Sequence, residues 1–240
     1  MRSWKDISLF LFQRIDRINE DTSLDELDKV LYCTCEMFGL TDFQLGDMDR
    51  KKSAVLIKRA SNILSAKPAG KVRERIGPYT INYDPADMTL GQFVELRHFL
   101  QQPVHMGHLA LASIAAYRKE PYKSDGHPLR ADYLLRQPVT DLLASLNFFM
   151  NRFSEFIKSY NALFGLDEDM YADGQEVQQF NRRFGWIYSA TTIADHERIT
   201  LDQAYGLPIR QAFNDLIYLK ELSRYEAEER KRIMETVKKK

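Results

Sequence analysis

Between Gly77 and Leu100 two different periodicities meet. Tyr79, Ile81 and Tyr83 alternate with Thr80, Asn82 and Asp84, the two-residue period of a half-buried strand. Asp84-Pro85 breaks the alternation, and a helix follows with its start marked. Thr89 and Gln92 form a capping box, and Met88 and Phe93 stand where a hydrophobic staple would lie. Upstream, Val72, Glu74 and Ile76 alternate too, and Gly77-Pro78 supplies a turn between the two runs. The region therefore reads as a β-hairpin over about 71–84 joined to a helix. Two strands alone are marginal in water, so the hairpin has to pack on helices or add to a neighbouring sheet.

Helix signals dominate the remainder. Ser8 caps a helix through about Asn19, with Leu9, Phe12, Ile15 and Ile18 on one face. Ser23 with Glu26 reads as a capping box for a helix over Leu24 to Phe38, which Gly39 ends in the left-handed conformation. Thr41 with Gln44 repeats the signal, and another helix covers about Arg50 to Leu64. Lys67-Pro-Ala-Gly70 interrupts the pattern and marks a boundary. Beyond the hairpin, helices are expected over Leu90–Leu100, His105–Tyr117, Pro138 to about Phe164 closed by Gly165, Gln175–Ile193, and Pro208 to the end. Pro121 to Gln137 reads as an irregular connection, and Thr200 with Gln203 as a fourth capping box. The fold expected is mainly α, a multi-helix protein with one small β-hairpin between two helical regions. Residues 1–66 form an N-terminal helical subdomain; residues 67–240 hold the hairpin and a C-terminal helical domain ending in a charged helix.

Charge and cysteine content narrow the function. Lys+Arg and Asp+Glu both number 34 over 240 residues, which argues against a general affinity for nucleic acid or anionic membrane. Near-zero net charge lowers colloidal repulsion and suits a protein that lives in an assembly. Cys33 and Cys35 are too few and too close for a disulfide framework and fit a reducing compartment. No signal-peptide pattern opens the chain, and no apolar run approaches the roughly 20 residues that span a bilayer. A soluble, intracellular protein without membrane partners is expected.

No constellation carries recognisable chemistry. His98, His105 and His108 lie near Glu95, but Pro103 separates His98 from the other two and no Cys or Asp completes a familiar metal spacing. Cys33 and Cys35 stand two apart on a helix and point to different faces. Asp195-His-Glu197, preceded by Ser189 and Thr191, matches no motif of known mechanics and reads as a polar helix end. There is no P-loop and no Gly-rich dinucleotide fingerprint. No catalytic, cofactor-binding or metal-binding residue is assigned, and no enzyme is expected. The stretch from Arg50 to Arg75 is locally basic, with only Glu74 opposing it, so Lys51, Lys52, Lys58 and Arg59 are candidate phosphate contacts. It lacks stacking aromatics, so nucleic acid is the less favoured partner. Phe148, Phe149, Phe153, Phe156, Tyr160 and Phe164 fall at helical spacing, as core or as interface.

Several stretches resemble proteins of tailed bacteriophages that infect Bacteroidales, the crAss-like phages among them. They are Trp4-Lys-Asp-Ile-Ser-Leu-Phe-Leu-Phe-Gln-Arg-Ile15, Ile76-Gly-Pro-Tyr-Thr-Ile-Asn-Tyr83 with Met88-Thr-Leu-Gly-Gln-Phe-Val-Glu95, and Val139-Thr-Asp-Leu-Leu-Ala-Ser-Leu-Asn-Phe-Phe149. Phe184-Gly-Trp186, Ile199-Thr-Leu-Asp-Gln203 and Leu216-Ile-Tyr-Leu-Lys220 extend the likeness to the C-terminal region. The resemblance implies a role in phage morphogenesis, as a virion component of head, neck or tail or as packaged cargo. A tail-assembly chaperone absent from the mature virion is the alternative, and a DNA-associated phage protein using residues 50–75 is the rival from another class. It implies other phage structural proteins or further copies of the chain as partners, and residence in the host cytoplasm during assembly and then in the virion. Tyr79, Ile81, Tyr83 and Phe93 are the candidate partner-binding residues, with strand addition at the hairpin edge as the mode.

Overall fold

A computed structural model describes residues 3–102, 106–117, 120, 122–164 and 175–238, the side chains of 175–183 and Lys238 excepted. His105 and Gly165 lie outside the described residues. The chain is mainly α. In order come α1 (Leu9–Glu20), α2 (Glu26–Phe38), α3 (Asp42–Gly46), α4 (Arg50–Leu64), β1 (Arg75–Ile76), β2 (Tyr79–Ile81), α5 (Leu90–Leu100), α6 (Gly107–Ser113) and β3 (Ala115–Tyr117). Then follow α7 (His127–Leu135), α8 (Val139–Ser159), α9 (Asn161–Phe164), α10 (Gln175–Glu197), α11 (Leu201–Gly206) and α12 (Ile209–Lys238). Two compact units emerge, Met1–Tyr83 with Glu95–Asn151, and Asp84–Val94 with Arg152–Lys240. The break at Lys67–Gly70 lies inside the first unit, and the division falls within α5 and α8.

In the first unit, capping residues set where helices begin. The Ser8 hydroxyl accepts from the Leu11 amide, and Thr41 and Gln44 satisfy each other's backbone in a capping box. Gly39 ends α2 at φ 66°, where a side chain would be strained. α2 begins at Asp25, whose carboxylate accepts from the Asp28 amide, and not at Ser23. Ser23 instead donates to Asp21, and the Asp25 carboxylate takes the cap. Leu9 donates to the Gln137 carbonyl and Val139 to the Ile7 carbonyl, both at 2.9 Å, which fixes the N-terminal strap to the start of α8. The Trp4 indole N–H donates to the Ala66 carbonyl at 2.6 Å. Ile7, Leu9, Ile15, Leu96, Leu134 and Phe149 are among the side chains that fill the core.

The expected hairpin is a three-stranded antiparallel sheet in the order β1-β2-β3, with Ile76 opposite Tyr79 and Thr80 opposite Ala116. Gly77 makes the β1–β2 turn at φ 58°, and a Cβ there would collide with the Tyr133 hydroxyl. β3 occupies the end of the expected helix His105–Tyr117. Ala115 and Ala116 are helix formers by propensity, but pairing with β2 decides their conformation. The expected irregular connection also holds a helix, α7, with Pro128 in its first turn where a missing N–H costs nothing.

The second unit is built around Phe93, which is fully buried. Its ring lies 5.0 Å from Phe213, 4.9 Å from Trp186, 5.9 Å from Phe153 and 6.2 Å from Phe164. Leu90 donates to Leu207 and Ile209 to Met88, both at 2.9 Å, so the start of α5 and the start of α12 are tied through backbone. The Thr89–Gln92 and Thr200–Gln203 capping boxes both form.

Candidate functional site

The sequence-predicted partner residues fall into two environments. Ile81 is 4% exposed and Phe93 fully buried, so both spend their side chains on the core. Tyr79 and Tyr83 are half-buried. Tyr79 packs edge-on against Tyr117 and Tyr133, while Tyr83 packs on Phe148 and donates its hydroxyl to the Arg73 carbonyl at 2.7 Å. β2 carries β1 on one side and β3 on the other, so its edge is occupied within the chain. Strand addition at β2 is therefore closed off; the outer edges of this sheet belong to β1 and β3. The separation of β3 from β2 by more than thirty residues of sequence hid this pairing.

Lys51, Lys52, Lys58 and Arg59 all lie on α4 and are all exposed. Lys51 and Lys52 flank Met48, Val55 and Leu56, which form an apolar shelf. Separately, α2, α3 and α4 line a cavity of about 370 Å³ open to solvent. Leu31, Tyr32, Cys35, Leu45 and Ile57 line it, with Asp28 and Asp42 as its carboxylates. Leu27, Phe43 and Val55 are exposed on the same three helices. None of the cavity residues stood out as functional in the sequence. The available signal was α2 itself, where Leu27, Leu31 and Cys35 form a stripe distinct from Val30, Thr34 and Met37. A helix apolar on two sides has more apolar surface than one neighbour covers.

α2 carries both cysteines buried and free. Burial pushes each thiol up to about 11; for Cys35 its hydrogen bond to Asp42 adds to the effect. The thiols stay protonated at neutral pH and are poor nucleophiles. Of the histidines weighed in the sequence, His98 is exposed, and His108 is buried with Nδ1 3.4 Å from Gln13 Nε2. Among the described residues no three His, Cys, Asp or Glu side chains are placed to hold a metal ion.

A second polar cluster lies beside β3. Tyr122 and Ser124 both donate to the Glu95 carboxylate, and the Arg130 guanidinium stacks over the Tyr122 ring at 4.4 Å. Arg130 is buried and donates to the Ala112 and Lys123 carbonyls, both at 2.9 Å. Burial, reinforced by Glu95, holds the Tyr122 phenol well above its usual range. These donors of Tyr122, Ser124 and Arg130 end on the fold's own acceptors, so the cluster braces the segment that leads into α7. At the Asp195-His-Glu197 helix end, Asp215 has a raised carboxyl, first through burial and then through Glu197, with His196 opposing.

The other unusual surface is the last part of α12. From Ser223 to Val237 every side chain but Glu229 is exposed. Ile233, Met234 and Val237 are 59%, 64% and 69% exposed and share one helical face. Ion pairs Arg224–Glu221, Arg230–Glu226 and Arg232–Glu229, spaced three or four apart, run along this segment and support it as an isolated helix. Among the described residues no helix is long and apolar enough to cross a membrane. Comparison with protein-family models, curated proteins and solved structures yields no match.

Proposed function

We propose that this chain is a non-enzymatic phage morphogenesis protein that acts through protein–protein contacts as a component of the virion. The observation that carries the reading is the apolar surface left uncovered at two places: the α2–α4 cavity and the end of α12. Clustered exposed apolar side chains mark binding surfaces, whereas scattered ones are ordinary. The resemblance to crAss-like phage proteins supplies the biological setting. The stretches that carry it contribute core and capping residues such as Ile7, Thr89, Phe93 and Val139, so they support a shared scaffold and leave the contact surface to be read from exposure.

The test is mass spectrometry of purified particles. A virion component is recovered at a fixed ratio to other structural proteins. Its absence from particles, with the chain abundant in infected cells, would overturn the reading in favour of an assembly chaperone.

A further inference from the structure

We infer that the cavity between α2, α3 and α4 receives the C-terminal end of α12 from a second copy of the chain. This concerns the partner of the exposed surfaces and holds whether or not the chain is found in phage particles.

The cavity and the helix end match in chemistry. The cavity has an apolar floor of Leu31, Tyr32, Leu45 and Ile57, and its only charged lining groups are Asp28 and Asp42. Residues 20–49, which supply α2, α3 and their flanks, hold nine Asp and Glu against Lys29 alone, and the α4 cations Lys51, Lys52, Lys58 and Arg59 are not among the groups that line the cavity. The occupant should therefore be an apolar helix face bordered by cations. Residues 230–240 hold Arg230, Lys231, Arg232 and three further lysines against Glu235 alone. Within them Ile233, Met234 and Val237 make one exposed face, and Lys231 and Arg232 fall on either flank of it at 100° per residue. Charge complementarity of this kind sets register and partner choice, while the apolar contact supplies affinity.

The helix end is also already helical. Arg230–Glu226 and Arg232–Glu229 pair within one turn, so docking need not order a disordered segment, and that part of the cost of binding is small. A helix laid into an apolar groove through residues three and four apart is a standard recognition mode. The donor surface and the acceptor surface are different patches, so the contact is heterologous. Such contacts build rings or open filaments when they repeat.

Sedimentation equilibrium of the full chain tests this. The wild-type chain should associate with rising concentration and less so at high salt. Ile233→Asp with Val237→Asp alters only exposed tail side chains, and Tyr32→Glu with Ile57→Glu alters two side chains that line the cavity. Each double variant should weaken association at least about tenfold, with circular dichroism confirming that it is folded. Mixed together, the two variants should form a one-to-one complex, because one retains an intact cavity and the other an intact tail. A wild-type chain that remains monomeric overturns the inference. So does a tail variant that associates as wild type, or a mixture that remains monomeric.

Discussion

Tyr79 lies directly across the β2–β3 ladder from Tyr117, their rings 6.1 Å apart and inclined at 66°. The pair shows that β2 spends its second edge on the chain's own β3. Ile81 on β2 and Tyr117 on β3 therefore differ in what a charge would do. Ile81→Asp buries an unpaired carboxylate in the core and should unfold the first unit, seen as a collapsed thermal transition. Tyr117→Lys, at an exposed site, should cost no more than about 1 kcal/mol of cross-strand contact. Equal losses in the two variants would refute the assignment of β2 as the central strand.

The Phe93 cluster makes a sharper stability prediction. Phe93→Ala removes a ring in contact with Phe153, Phe164, Trp186 and Phe213. The expected loss is about 3–5 kcal/mol, transfer and cavity terms together. Chemical denaturation should place it on the transition reported by Trp186, and Phe93→Leu should recover part of it.

Asp215 links stability to pH. One of its carboxylate oxygens is buried without a hydrogen-bond partner, and its pKa is raised by burial and Glu197. The folded chain thus binds this proton more tightly than the unfolded chain. Its contribution to stability is present below the ordinary carboxylate pKa and is lost as pH rises through the raised one. Asp215→Asn should raise the melting temperature at pH 7, with the gain shrinking as pH falls towards 4.

The two thiols titrate late. With Cys33 and Cys35 each pushed up to about 11, neutral alkylating reagents should modify the native chain slowly at pH 8. Unfolding by denaturant should release both thiols to rapid reaction. Native-state reaction as fast as that of the unfolded chain would contradict their burial.

The basic side of α4 permits a direct test of nucleic-acid binding. If Lys51, Lys52, Lys58 and Arg59 meet phosphates, DNA retention should fall steeply with salt and weaken when they are neutralised. No retention at low salt removes the DNA reading.

Local signals were legible in the sequence where the physics is local. Ser8, Thr41, Thr89 and Thr200 each cap a helix, because a hydroxyl placed before a helix satisfies amides within three residues. Gly39 was legible for the same reason. β3 was not, since Ala115-Ala116 looks helical until a strand more than thirty residues away pairs with it. α7 was hidden by His127-Pro128, which reads as a loop but sits well in a first turn. At the candidate surface the sequence pointed to the aromatic strand, although aromatic residues there pack inward. The cavity of Leu31, Tyr32, Leu45 and Ile57 depends on how three helices meet, and no single segment encodes that.

The chain contains two tryptophans, and they fall one in each compact unit. Trp4 is buried with its indole N–H bound to the Ala66 carbonyl, and Trp186 stands against the Phe93 ring. Each unit thereby has its own intrinsic fluorophore. Trp4→Phe leaves emission that reports on the second unit, and Trp186→Phe leaves emission that reports on the first. Melting the two variants side by side resolves whether the units unfold together or in sequence, with no label attached.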